Sequence, residues 1–177
     1  MALPGDFVMK SIGLTTALSI VLLALPAFAA PPQLLDKTIT VSFTATGQAK
    51  SPEGQTKGFN TQVSRIIYVS SAGRLFMRHR ASNRGGSRGG DFGPGEGGGS
   101  FSFQGNRLVG VLPYGTGARQ ITITFDPGGS NCSASVIEGH SGGVIRRKGP
   151  DGIMYEITNA TTSTVSCSIQ SGNAFAG

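Results

Sequence analysis

The sequence has no tryptophan, two cysteines, two histidines and only 14% charged residues. So little charge excludes a coiled coil or a charged tail, while 38% hydrophobic residues are too many for a wholly disordered chain. His79, His140, Cys132 and Cys167 lack any metal-ligand spacing, so no metal site and no cofactor is expected. Acidic residues are also scarce, nine against fifteen Lys and Arg, giving a net charge of +6. That surplus points to anionic partners.

Long apolar runs are missing except at the N-terminus. Lys10 precedes an uncharged stretch, 11–28, whose apolar heart is 20–25 and which ends in Pro26 and Ala27-Phe28-Ala29. This reads as an export signal helix with an Ala-x-Ala cleavage site over residues 1–29. The alternative is an uncleaved anchor, the one route by which the chain would meet a membrane. Residues 30–177 are then one domain, periplasmic or extracellular, where oxidising conditions favour pairing of Cys132 with Cys167.

Helical periodicity is absent from the mature part. In 37–46, Ile39, Val41, Phe43 and Ala45 alternate with Thr38, Thr40, Ser42 and Thr44, the period of a half-buried strand. β-rich runs follow at 63–70, 74–80, 101–104, 107–112, 120–126, 132–138, 153–158 and 164–170. Turn chemistry separates several of them, such as Gly105-Asn106 and 127–130. Nine short strands imply an all-β fold, an antiparallel meander closed into a small barrel, or alternatively a β-sandwich. Cys132 shares parity with Ala134 and Val136, and Cys167 with Val165 and Ile169, so both thiols are expected to face the core.

Residues 81–100 break the pattern. Nine of them are Gly, and Phe92 is almost the only apolar residue, a composition that predicts a flexible loop dispensable for folding. Arg74, Arg78, Arg80, Arg84 and Arg88 lie in and beside it, and Arg146, Arg147 and Lys148 form a second basic cluster. These eight residues are the candidate ligand-binding set. Acidic polysaccharide, lipid head groups or an envelope protein are the expected partners. Specific nucleic-acid binding is not expected, because the Arg-Gly-Gly repeats lack interleaved aromatics and an exported protein meets little nucleic acid.

Two motifs imitate enzymes. Residues 139–143, Gly-His-Ser-Gly-Gly, fit the nucleophile-elbow pattern around Ser141, but the chain runs at once into Gly149-Pro150 where a helix should follow, and no histidine comes later. An order of His79, then Asp91 or Asp126, then Ser141 can be written, in a chain too short for the two barrels such a protease needs. Residues 93–98 match G-x-G-x-x-G by glycine content alone. No catalytic residue is assigned.

The stretches 67–76, 118–126 and 171–175 resemble small exported proteins of unknown function from soil alphaproteobacteria. The resemblance implies an exported location and supplies no activity or site. The functional expectation is a noncatalytic binding module for an anionic or small amphipathic ligand. An inhibitor of a secreted hydrolase is one alternative, and a serine hydrolase using Ser141 is another.

Overall fold

The computed structural model describes residues 29–96, 99–139, 144–149 and 151–175. Residues 1–28, all but Ala29 of the expected signal segment 1–29, lie outside them, as do His140 and Ser141. Strands hold 69% of the described residues and no α-helix occurs among them, so the protein is all-β as the periodicity predicts.

Ten strands form two sheets. β1 (Lys37–Lys50), β2 (Thr56–Val69), β3 (Leu75–Asn83) and β4 (Gly86–Phe92) run as a meander. β10 (Met154–Ser171) returns to pair antiparallel with β1, and β9 (Ile145–Lys148) pairs with β10, giving the order β4-β3-β2-β1-β10-β9. The second sheet is the meander β5 (Ser100–Gln104), β6 (Arg107–Tyr114), β7 (Gly117–Phe125) and β8 (Cys132–Gly139). The expected meander is therefore two meanders, with the last long strand laid beside the first.

The six-stranded sheet is curled into a half-barrel, and β10 shows why. Its register against β1 slips twice, between Ser42 and Thr44 and between Thr46 and Gln48. At each slip β10 carries the extra residue, and a non-glycine residue there takes a left-handed backbone, Thr164 at φ 50° and Asn159 at φ 51°. Such bulges bend a strand and increase its twist. They also shift the inward parity by one, from Ile157 to Ala160 and Thr162, then to Val165, Cys167 and Ile169. Period-two reading therefore sees two strands, 153–158 and 164–170, where one continuous strand runs.

One apolar core draws on both sheets. Ile39, Val41, Phe43, Ile67 and Val69 meet Leu108, Ile121, Ile123, Phe125 and Val136, and Leu34 of the 3₁₀ turn Pro32–Leu34 is fully buried in the same cluster. A second cluster of Tyr114, Ile145 and Ile157, flanked by Phe59 and Tyr155, lies at one end. The sheets are tied by the Cys132–Cys167 disulfide, Cα atoms 5.6 Å apart, and by the Thr162 hydroxyl donating to the Val136 carbonyl at 2.8 Å. Both cysteines pack on the core, as their parity predicts.

The segment 81–100 departs from its expectation of a loop without regular structure. It supplies the end of β3 and all of β4, joined by a tight turn in which Gly85 N–H donates to Asn83 Oδ1 at 2.8 Å. Composition treats a segment as if it had to bury its own surface. Here β3 supplies the backbone partners, and Phe92 opposite Met77 supplies the apolar anchor. Gly89 is required by close approach, since a Cβ there would run into the His79 carbonyl and lie 2.9 Å from the Arg80 side chain. Deleting 81–100 would thus remove an edge strand with its ladder, and not a connection alone.

Candidate functional site

Curling brings the two edges of the six-stranded sheet to opposite sides of one cleft of about 910 Å³. One wall is the β3–β4 turn with Arg84 and Arg88; the other is the β9–β10 hairpin with Arg147 and Lys148. Lys57 at the start of β2 is a fifth cation, and Ala49, Phe59, Tyr155 and Ile157 give the cleft an apolar side. Among the described residues the single acidic lining residue, Asp151, accepts hydrogen bonds from the Tyr155 hydroxyl at 2.6 Å and from Ile153 N–H at 3.0 Å. Those bonds, led by Tyr155, hold its carboxyl below the usual range, with Lys57 adding to the effect.

Half of the eight candidate basic residues therefore line one site. The other half lie elsewhere. Arg78 makes a two-pronged pair with Asp91 at 2.8 and 2.7 Å, and Arg80 reaches the same carboxylate at 3.3 Å. Arg78 also covers the Phe175 ring at 4.6 Å, Arg74 stands over Phe76, and Arg146 pairs with Glu156 at 3.5 Å. Lys57 carried no sequence signal, because nothing in a polar run reveals that it ends beside the distant Arg84-Gly85 turn.

Beneath the cleft is a charged layer that the sequence reading overlooked. Arg65 on β2 and His79 on β3 are cross-strand partners on the inward face, in register with Val41 and Gly90. On the facing sheet Arg119 of β7 is paired with Glu138 of β8. Arg119 donates from Nε and Nη2 to Glu138 Oε1 at 2.9 and 2.6 Å, with side chains only 6% and 3% exposed. Its guanidinium lies between the rings of Phe43 at 5.0 Å and Tyr114 at 4.5 Å, joining the two apolar clusters. Arg147 approaches Tyr114 at 5.2 Å, linking cleft to layer. A signal did exist: Arg65 alternates in phase with Val63 and Ile67, and Arg119 with Ile121 and Ile123. Charged residues at inward parity were there to be noticed.

Burial, then the like charge of Arg119, lowers Arg65 to a pKa of about 10, so it stays charged at neutral pH. Burial, then Arg65, Arg119 and Arg88, lowers His79 from 6.5 to about 4. The folded protein thus binds a proton on His79 less readily than the unfolded chain does. Stability from this residue is complete above pH 6.5 and is lost as pH falls toward about 4. Urea titrations at several pH values should show that decline, and His79→Gln should flatten it. Equal pH slopes would contradict the assignment.

Of the writable His–Asp–Ser order, the described residues hold His79 and the two carboxylates in different surroundings. His79 points inward, whereas Asp91 is bound to Arg78 from the outer face and Asp126 accepts the N–H groups of Ser130 and Asn131 in the β7–β8 turn. Ser141 lies outside the described residues. Residues 93–96 form a turn between strands, with Glu96 accepting from Gly93 N–H at 2.7 Å, and no helix opens there among the described residues. No family model, no curated protein and no solved structure matches this chain.

Proposed function

We propose that the protein is a noncatalytic binding module that holds an amphipathic anion in the cleft between the β3–β4 and β9–β10 hairpins, acting in the periplasm or outside the cell. The carrying observation is the convergence of Lys57, Arg84, Arg88, Arg147 and Lys148 on a space with an apolar side, while the one carboxylate among its described lining residues, that of Asp151, is occupied by Tyr155. The half-buried apolar wall of Ala49, Phe59 and Tyr155 favours a head group attached to a hydrocarbon or ring over a polysaccharide, whose polar groups gain nothing against it. An exported location is supported by the disulfide, a bond that persists in oxidising compartments. No helix among the described residues is long and apolar enough to cross a membrane, which leaves a β-barrel unaddressed.

The two sheets read best as one incompletely closed barrel. β8 lies beside β10 through the disulfide and the Thr162 bond. At the other end the β6–β7 turn meets β9, where Thr116 N–H donates to the Arg146 carbonyl and Arg146 N–H to the Thr116 hydroxyl, both at 2.9 Å. Gly115, at φ 60°, has room there only as glycine, since a Cβ would collide with the Arg146 carbonyl.

Calorimetric titration with a long-chain alkyl phosphate below its micellar concentration tests the reading. Arg88→Ala with Lys148→Ala should weaken binding by at least about tenfold, since each charge-assisted hydrogen bond contributes about 1.5–3 kcal/mol. Arg78→Ala with Arg146→Ala, outside the cleft, should leave it unchanged. Equal losses in both double variants would mean that general surface charge, and not the cleft, attracts the ligand.

A further inference from the structure

The charged layer is unbalanced. Arg65 is 7% exposed, its Nε has no hydrogen-bond partner, and it has no ion pair among the described residues. Glu138 gives one oxygen to Arg119, while Oε2 is buried without a partner. The two orphaned atoms are therefore not bonded to each other. Two buried guanidinium groups face one carboxylate, with His79 neutral and its Nδ1 also unpartnered. Arg88 adds positive potential from the cleft side. Buried charges are ordinarily paired, because an uncompensated one is costly in a low-dielectric interior.

We infer that this layer is an interior anion subsite in which one small monovalent anion, a halide or a carboxylate, accepts hydrogen bonds from the Arg65 guanidinium and neutralises the excess charge beside Arg119. A water could satisfy the orphaned Nε but would leave the charge count unchanged, and that count is what favours an anion. The subsite stands whether or not the cleft takes a ligand. If the cleft does, Arg88 and Arg147 lie between it and the layer, so the anion could be the carboxylate of that same ligand.

Thermal unfolding of the mature protein at constant ionic strength, with chloride replaced stepwise for sulfate, reads the free-ion source; a parallel series with decanoate reads the carboxylate source. A saturable rise in melting temperature is expected with at least one of them, because a ligand that binds only the folded state stabilises it by mass action. Arg65→Met should abolish that rise. Glu138→Gln removes the competing negative charge and should tighten anion binding by about tenfold. A rise with chloride assigns a free halide; a rise with decanoate alone assigns a ligand's carboxylate. Identical anion dependence in wild type and Arg65→Met, or no saturable rise in wild type with either anion, overturns the subsite. Should Arg65→Met fail to fold, anomalous diffraction from wild-type crystals grown in bromide and in a brominated carboxylate decides. Bromine density at the Arg65 guanidinium, or a carboxylate there, supports the inference, and its absence in both overturns it.

Discussion

Reduction of the Cys132–Cys167 bond lowers the unfolding free energy by about 4 kcal/mol, the chain-entropy value for a loop of this length. The two cysteines are 35 residues apart in sequence and join β8 of one sheet to β10 of the other. Between them run the β8–β9 connection, β9 and most of β10, so the bond closes a loop holding one whole wall of the cleft. In the unfolded chain that loop is otherwise unrestrained, whereas in the fold the sheets are also held by the shared core. Thermal unfolding with and without reductant checks this. For a domain of this size the melting temperature should fall by roughly 10 °C. Cys132→Ser with Cys167→Ser should behave as the reduced protein does. An unchanged melting temperature would show that core packing alone sets the alignment of the sheets.

Glu138→Ala should cost about 3–5 kcal/mol, the usual penalty for removing one partner of a buried ion pair. The reason is what remains: Arg119, 6% exposed in its side chain, and Arg65, 7% exposed, would share an interior with no carboxylate bonded to either. Against a typical total of about 5–15 kcal/mol, that is enough to leave a sizeable unfolded fraction. Glu138→Gln keeps one acceptor oxygen for Arg119 and should cost less. Arg119→Leu with Glu138→Leu should recover much of the loss, because well-packed apolar side chains replace a buried pair at little cost. Urea denaturation of the singles and the double gives the coupling energy directly. A Glu138→Ala variant within about 0.5 kcal/mol of wild type, the range of ordinary surface substitutions, would show that water reaches the pair.

What the sequence made legible followed the regular period of two. The strand at 37–46, the facing of both cysteines and the all-β class rest on alternation that the fold keeps. Departures arise where the period is interrupted or the partner is remote. β10 hides behind the two bulges at Asn159 and Thr164. β4 has hardly any apolar signal of its own and exists because β3 offers it a ladder. The basic residues were visible as a composition, but only sheet curvature sorts them into Arg84, Arg88, Arg147 and Lys148 on the cleft and Arg74, Arg78, Arg80 and Arg146 away from it. Arg65, Arg119 and Glu138 were legible in principle, as charged residues in phase with core positions.

The bulges on β10 have a mechanical meaning. Arg88 and Arg147 sit on opposite margins of one curved ribbon, so the gap between them depends on how far the ribbon's middle strands bend. That bend is imposed at Thr164 and Asn159, on a strand whose outer side is solvated and whose hydroxyls, such as Thr164 Oγ1 to Thr44 Oγ1 at 2.9 Å, bridge the convex surface. The aperture is therefore set from behind, as the jaws of spring tongs are set at the bow. Residue changes on the back of the protein can widen or narrow the grip without altering a single group inside it.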